Sequence, residues 1–359
     1  MEDLEIDPRF WRGKKVLVTG HTGFKGGWMS LWLQALGARV TGYSLPPPTE
    51  LSLFEVARIA DGMQSVTGDI RESAALGQAT KSAQPEIIIH MAAQPIVRHS
   101  YADPVGTYAT NVMGTVNVLE AARAIAGLRA VLIVTSDKCY ENAEDRRLYQ
   151  EGDVLGGRDP YSSSKACAEL VTAAYRGSFF AGKSGAPAIA TALAGNVVGG
   201  GDWAPDRLIP DAVRAFCNGE RLKIRHPQAT RPWQHVLDAI SGYLLLAQQL
   251  CTHGEAHAEA WNFGPNEAAM TVADVATTVS KEWGNGAAWE TDGVAALHEA
   301  RYLAVDASKA RKRLGWKPQL DTASAIGWTV DWYRVWRDGS EMRPFSEAQI
   351  ARYTSAIST

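Results

Sequence analysis

Cysteine is scarce in this chain, and the four present, Cys139, Cys167, Cys217 and Cys251, lie far apart. No two of them form a C-x-x-C pair. That spacing argues against a zinc site or a disulfide framework, and it fits a reducing, cytoplasmic setting. No metal is therefore expected. No stretch approaches the roughly 18 apolar residues that a membrane helix needs. The opening MEDLEIDPRFWRGKK has no apolar core of a secretory leader. Charge of one sign is missing too. The net charge is −3 with no long basic run, so neither nucleic acid nor a membrane is an expected partner. There is no internal repeat and no low-complexity segment.

What remains is the composition of a soluble globular protein, 46% hydrophobic and 21% charged. At 359 residues the chain suffices for one large domain and a smaller one. Its twelve tryptophans are many for that length and read as core or interface packing.

Strand and helix patterns alternate through the first half. KKVLVTG, RVTGYSL, MQSVTGDI, PEIIIHMAA, LRAVLIVTS and PAIATALAGNVVG read as strands. Between them, FKGGWMSLWLQALGA, RESAALGQATKSA, a long segment from near Asp103 and a second from Pro160 read as helices. Asp159 is placed to cap the last of these, with Pro160 in its first turn. Near-continuous apolar strands alternating with helices predict an α/β fold. It should be a Rossmann-type, doubly wound parallel sheet with helices on both faces. After about residue 196 the rhythm breaks into Gly, Pro, Trp and Arg-rich segments. Residues 1–195 are therefore expected to form a nucleotide-binding domain, rejoined by about 234–263. Residues 196–359 should form mainly a smaller C-terminal substrate-binding cap.

Two groups of residues suggest chemistry. VTGHTGFKG places Gly20, Gly23 and Gly26 three apart between the first strand and its helix. Glycines there permit a tight turn and close backbone approach to a pyrophosphate, and the helix N-terminus offers free N–H groups. Thr22, Phe24 and Lys25 belong to the same loop. The second strand ends in GYSLPPPT, with neither the acid that would hold the ribose hydroxyls of NAD nor an arginine for a 2′-phosphate. His21 and Lys25 either compensate or face solvent. Asp69, followed by Ile70, is placed for an adenine amino group or, equally, to cap a helix.

PYSSSK sets Tyr161 and Lys165 four apart on one helix face. A neighbouring ammonium favours the phenolate and makes the tyrosine a usable base. Thr135, at the end of the fifth strand in TSDKCY, is placed to hydrogen-bond the same substrate oxygen, with Asp137 and Lys138 beside it.

TGxxGxxG, HMAAQ at 90–94, TNVMGT at 110–115, TSD and YxxxK together resemble the extended short-chain dehydrogenase/reductases. TGHTGFKGGW, TSDKCY and GGGDW are closer to the CDP-glucose 4,6-dehydratases of bacterial deoxysugar synthesis, a route to O-antigen and lipopolysaccharide. Lysine after the aspartate departs from the larger group of nucleotide-sugar 4,6-dehydratases, which carry Asp-Glu there. The resemblance implies NAD as cofactor, held also by Ala92, Ala93, Gln94 and Asn111, and CDP-D-glucose as substrate. It implies that Tyr161 starts oxidation at C4 and that Asp137 protonates the departing 6-hydroxyl. Lys138 would then act at C5, as a base with a lowered pKa or by stabilising the enolate, unless it is only a salt bridge. Asn196, Arg207, Lys223, Arg231, Arg301 and Tyr302 become candidate substrate contacts, and Arg231 suits bidentate pyrophosphate contact. For the other basic residues a solvated surface charge competes. Relatives pair long helices across a homodimer or homotetramer interface, here those at about 104–126 and 160–180. A 4-epimerase would need only the tyrosine, lysine and hydroxyl. A non-catalytic NAD(P)-binding regulator would need none of them.

Overall fold

The computed structural model describes residues 5–267, 269–292 and 301–357. Seven strands form its main sheet: β1 (Lys15–Thr19), β2 (Arg39–Ser44), β3 (Gln64–Thr67), β4 (Ile87–His90), β5 (Ala130–Val134), β6 (Ala188–Ala194) and β7 (Ala260–Phe263). All pairings are parallel, in the order β7-β6-β5-β4-β1-β2-β3. Every residue of β5 and β6 is buried, because helices cover both faces of the sheet. Side chains alternate between two cores. Val16 and Val18 of β1 enter one, and Leu17 enters the other with Ile88, Val118 and Val131.

The chain begins at the centre of the sheet and winds outward both ways, since β1 pairs with both β2 and β4. Strand order therefore reverses at β1/β4, and the crevice beyond the strands' carboxyl ends is where such sheets hold ligands. β7 comes after the Val236–His253 helix and closes the outer side of β6.

Helix starts follow capping chemistry. Asp159 accepts from the Ser162 N–H (2.9 Å) and hydroxyl (2.6 Å). Asp103 does the same for the Gly106 N–H at 2.8 Å. The helical run that follows covers residues 104–123 and contains a π turn, Ala109–Met113, which carries Asn111 inward.

Trp328, Trp332 and Trp336 lie on the first of two C-terminal helices, Thr322–Arg337 and Met342–Ile357. Trp203 lies edge-on to Trp332, Tyr333 and Trp336. Tyr333 donates to the Asp202 carbonyl, and Trp28 donates to that of Gly200 at 2.9 Å. A side chain at Gly200 would run into the Trp332 ring, which explains the glycine. The last helix was not foreseen from sequence. It lies on the Phe24–Ala35 helix, where Tyr353 meets Trp32, and it donates from Tyr353 to Asp238 at 2.6 Å. Among the described residues no helix is long and apolar enough to cross a membrane, and no cluster of His, Cys, Asp or Glu would hold a metal.

Candidate active site

The glycine loop leaves β1 at the strand-order reversal. Gly20 has φ +77°, and a Cβ there would come 2.6 Å from the Ala92 nitrogen. A Cβ on Gly26 would lie 2.0 Å from the Gly20 carbonyl oxygen. At Gly23 a Cβ would meet only that oxygen, at 3.4 Å, so this side of the turn is open. The result is a backbone cradle at the N-terminus of the Phe24–Ala35 helix. Thr22 ties it to the end of β2 through Ser44 (2.8 Å) and the Leu45 carbonyl (2.9 Å).

His21 does not face solvent, and Lys25 is half-buried. His21 is buried, bonds Ser65 at 2.7 Å, and is held neutral by burial, its pKa down at about 4. Desolvation lowers Lys25 to about 7, aided by the charges of Arg207 and Lys165 and opposed by Asp137. Asp69 caps no helix, since the Ser73–Ala83 helix has Glu72 at its N-cap; it accepts from the Arg71 N–H at 2.9 Å and pairs with that guanidinium at 2.5 Å. Ile70 is buried against Gly114. Beyond β4, Ala92 and Ala93 pass beside the cradle. The Gln94 N–H donates to Asn111 (2.8 Å), whose amide donates to Ser164 (2.8 Å) on the helix that carries Tyr161. The Thr19 hydroxyl joins His90 at 2.7 Å and anchors the other side.

Tyr161 and Lys165 are both buried on the Pro160–Tyr175 helix. Burial pushes the Tyr161 phenol up to about 12, while a hydrogen bond with Ser136 and the charge of Arg207 pull it back. Lys165 is lowered to about 8 by desolvation and raised by Glu169; its amine donates to the Val134 carbonyl at 3.4 Å. Arg207 thus adds positive charge that favours the phenolate.

The hydroxyl assignment needs correction. Thr135 does not face the tyrosine: its hydroxyl donates to the buried carboxylate of Glu169. Ser136 is the hydroxyl at Tyr161, and it also donates to Asp137 at 3.0 Å. β5 ends at Val134, and consecutive side chains of an extended segment point to opposite sides. Thr135 thus turns toward the helix and Ser136 toward the site.

Asp137 is 1% exposed, and its Oδ2 has no hydrogen-bond partner. Burial raises its pKa, opposed by the Lys138 charge, the Ser136 hydroxyl, Arg231 and Lys25. A carboxyl in that position keeps its proton to higher pH than an exposed aspartate. Gly195 completes the wall, since a Cβ there would stand 2.8 Å from Asp137 Oδ2 and 2.6 Å from the Pro232 ring. Sequence reasoning passed over Gly195 and Ser136. Lys138 opens onto a cavity of about 330 Å³ lined also by Glu141, Gly157, Asp159, Ser162 and Leu303.

The candidate substrate contacts from Asn196 onward divide. Arg231 is buried and its charge reaches Asp137. Arg207 pairs with Asp202 at 3.7 Å and acts on both Tyr161 and Lys25. Asn196 follows β6, and its carbonyl accepts from the Gln234 N–H at 3.0 Å. Arg301 and Tyr302 run beside Thr230: the Thr230 N–H donates to the Arg301 carbonyl at 2.8 Å, and Asn142 donates to that of Tyr302 at 2.7 Å. Lys223 is not brought to the site; it is the exposed residue of the short Leu222–Ile224 strand. Arg225 pairs with Asp206, which Arg98 of the Val97–Ala102 helix also reaches.

A family model described as GDP-mannose 4,6 dehydratase matches residues 17–327. A CDP-glucose 4,6-dehydratase of Salmonella typhimurium is 49% identical over 98% of this chain and 99% of its own. A dTDP-glucose 4,6-dehydratase of Xanthomonas campestris pv. campestris is 28% identical over 90% of this chain and 95% of its own. The solved structure of a dTDP-glucose 4,6-dehydratase from Streptomyces venezuelae, with NAD bound, superposes with a TM-score of 0.75 at 27% identity. That superposition covers 91% of this chain and 98% of the other. A glycine cradle, a buried Tyr–Lys helix and a buried acid thus sit in a chain that belongs to the nucleotide-sugar 4,6-dehydratase family, within the extended short-chain dehydrogenases/reductases.

Proposed function

We propose that this protein is a CDP-glucose 4,6-dehydratase, converting CDP-D-glucose to CDP-4-dehydro-6-deoxy-D-glucose. The observation that carries the reading is Asp137. Oxidation at C4 needs only Tyr161, Lys165 and a hydroxyl, whereas loss of the 6-hydroxyl needs an additional acid. Asp137 is a buried carboxyl beside that set with one oxygen unclaimed. The cytidine nucleotide follows from the 49% identical relative.

The cradle over residues 20–26 fits a dinucleotide pyrophosphate, and β2 ends in Tyr43 and Ser44 with no cation to receive a 2′-phosphate, which favours NAD. NAD held by that cradle would supply a hydride acceptor for C4 and a hydride donor for C6, with no net redox change per turnover. Tyr161 removes the 4-hydroxyl proton, with Ser136 bonded to the same oxygen. The 4-ketone acidifies C5; the Lys138 side chain, as the neutral amine, takes that proton, and the electron pair left at C5 expels the 6-hydroxyl. Asp137 gives its proton to the leaving 6-hydroxyl. Arg231 and Arg207 supply positive charge for the diphosphate. Residues 1–195 with 234–263 form the nucleotide-binding part, and the rest forms mainly the substrate cap, which excludes water from the reactive ketone.

Purified protein with CDP-D-glucose and sub-stoichiometric NAD is expected to give many turnovers of 4-keto-6-deoxy product. Reduced cofactor accumulating in step with product would overturn the redox-neutral reading, and a C4-epimeric sugar would point to an epimerase.

The helices around the site leave large apolar side chains exposed: Val105 (79%), Met113 (52%) and Leu170 (57%), with Tyr101, Tyr108 and Phe179 nearby in sequence. Such residues mark an interface. We infer that a second copy of the chain covers them. Val105→Glu with Leu170→Glu is expected to yield a monomer by sedimentation; an unaltered mass for wild type and variant would remove this face from the interface.

A further inference from the structure

Glu169 lies one helical turn beyond Lys165, as Lys165 lies one turn beyond Tyr161, so all three share the buried face of their helix. It is 5% exposed and takes no part in the reaction above. Both its oxygens are engaged: Oε1 accepts from Thr135 beyond β5, and Oε2 accepts from Thr191 of β6 at 2.7 Å. Burial raises the Glu169 pKa, and the two hydroxyls that spend their protons on it, with the charges of Arg176 and Lys165, work against that rise and toward the carboxylate. A group so fixed to two strands cannot swing away from the lysine on its own helix.

The surroundings show what that charge acts on. Facing Glu169 are Lys165 and Arg176, with Cys139 and Tyr140 from the turn after β5. Facing Lys165 are Glu169, Cys139, His90 at the end of β4, and Lys25 of the glycine loop. Burial keeps Cys139 a thiol and His90 neutral, the latter down at about 3. Lys25 repels. Glu169 is therefore the group that offsets both desolvation and Lys25 at the catalytic lysine.

We propose that Glu169, locked between Thr135 and Thr191 one turn beyond Lys165 on the same buried helix face, is a positioning residue that presents its carboxylate to that lysine, and that Thr135 serves the reaction through it. The proposal rests on the dehydratase reading for its catalytic meaning, so its first test does not use activity. In protein with isotope-labelled lysine, the Lys165 resonance is identified by its loss in Lys165→Met and followed through a pH titration. A lysine that loses a favourable carboxylate gives up its proton at lower pH. Glu169→Gln is expected to lower the Lys165 midpoint by about one pH unit or more. The alkaline limb of kcat/KM should move down with it, leaving about a tenfold deficit well above both midpoints. An unchanged midpoint in folded Glu169→Gln overturns the proposal, whatever the activity. If that variant does not fold, Thr135→Val and Thr135→Ser decide. The valine should lower the midpoint and the serine restore it; a valine variant titrating like wild type overturns the proposal. Wild type without dehydratase activity but with the midpoint shift would refute the reaction alone.

Discussion

Tyr161→Phe is expected to lose about 10²–10⁴ in turnover of CDP-glucose, the scale of removing a general acid–base group. The phenyl ring keeps the packing of a buried side chain, and the backbone N–H of residue 161 still donates to Ser100 (3.1 Å in the native protein). Stability and NAD affinity should therefore stay near native while chemistry fails. Because burial holds the free phenol up at about 12, with Ser136 and Arg207 working against it, Ser136→Ala should act in the same direction and more weakly. Calorimetry for cofactor binding and single-turnover assays for C4 oxidation separate the two effects. Near-native turnover in Tyr161→Phe would mean that the C4 proton leaves by another path.

The second large effect belongs to Asp137→Asn, which is expected to slow formation of the 6-deoxy product by about 10²–10⁴ while sparing oxidation at C4. The amide has the same shape and still accepts from Ser136, but it has no acidic proton to give. Hydroxide is a poor leaving group, so the 4-ketone should persist with its 6-hydroxyl in place. In heavy water, sugar recovered from the variant should carry deuterium at C5 and retain the 6-hydroxyl. Lys138→Met should show the converse, with C5 exchange slowed. Since burial raises the Asp137 pKa, its acid form extends above the usual carboxylate range and dehydration should decline as pH rises past that range. Wild-type product rates in Asp137→Asn would transfer the acid role to another group, and rapid C5 exchange in Lys138→Met would remove the lysine from that step.

Much of this site is written locally in the chain. Glycines at 20, 23 and 26 follow an apolar strand, and Asp159–Pro160 starts a helix that must carry Tyr161 and Lys165 on one side. The strand's last residue is not written so clearly. Thr135 and Ser136 are both hydroxyls at the mouth of β5, and a shift of one residue exchanges which of them meets the substrate; only the partners, Glu169 and Tyr161, decide. Asn111 owes its inward position to a π turn that no local spacing announces. Lys223 carries a plausible charge, but the burial of Leu222 and Ile224 on its short strand turns it outward. The final helix has a thin apolar stripe and buries Ser346 and Gln349, so it reads as a helix only once its partners Trp332, Trp328 and Asp238 are known.

The lateral position of β7 bears on how the polypeptide is made. As synthesis proceeds, β6 emerges with its outer hydrogen-bonding edge unmatched, and the edge stays so until Ala260–Phe263 arrive to pair with Thr191–Ala194. During that interval the nascent chain presents a seven-residue template, apolar but for Thr191, to any other extended segment. A gene fragment stopped at residue 195 would make that interval permanent. Residues 1–195 are thus not a transplantable module, and completion of their sheet waits for residues 260–263.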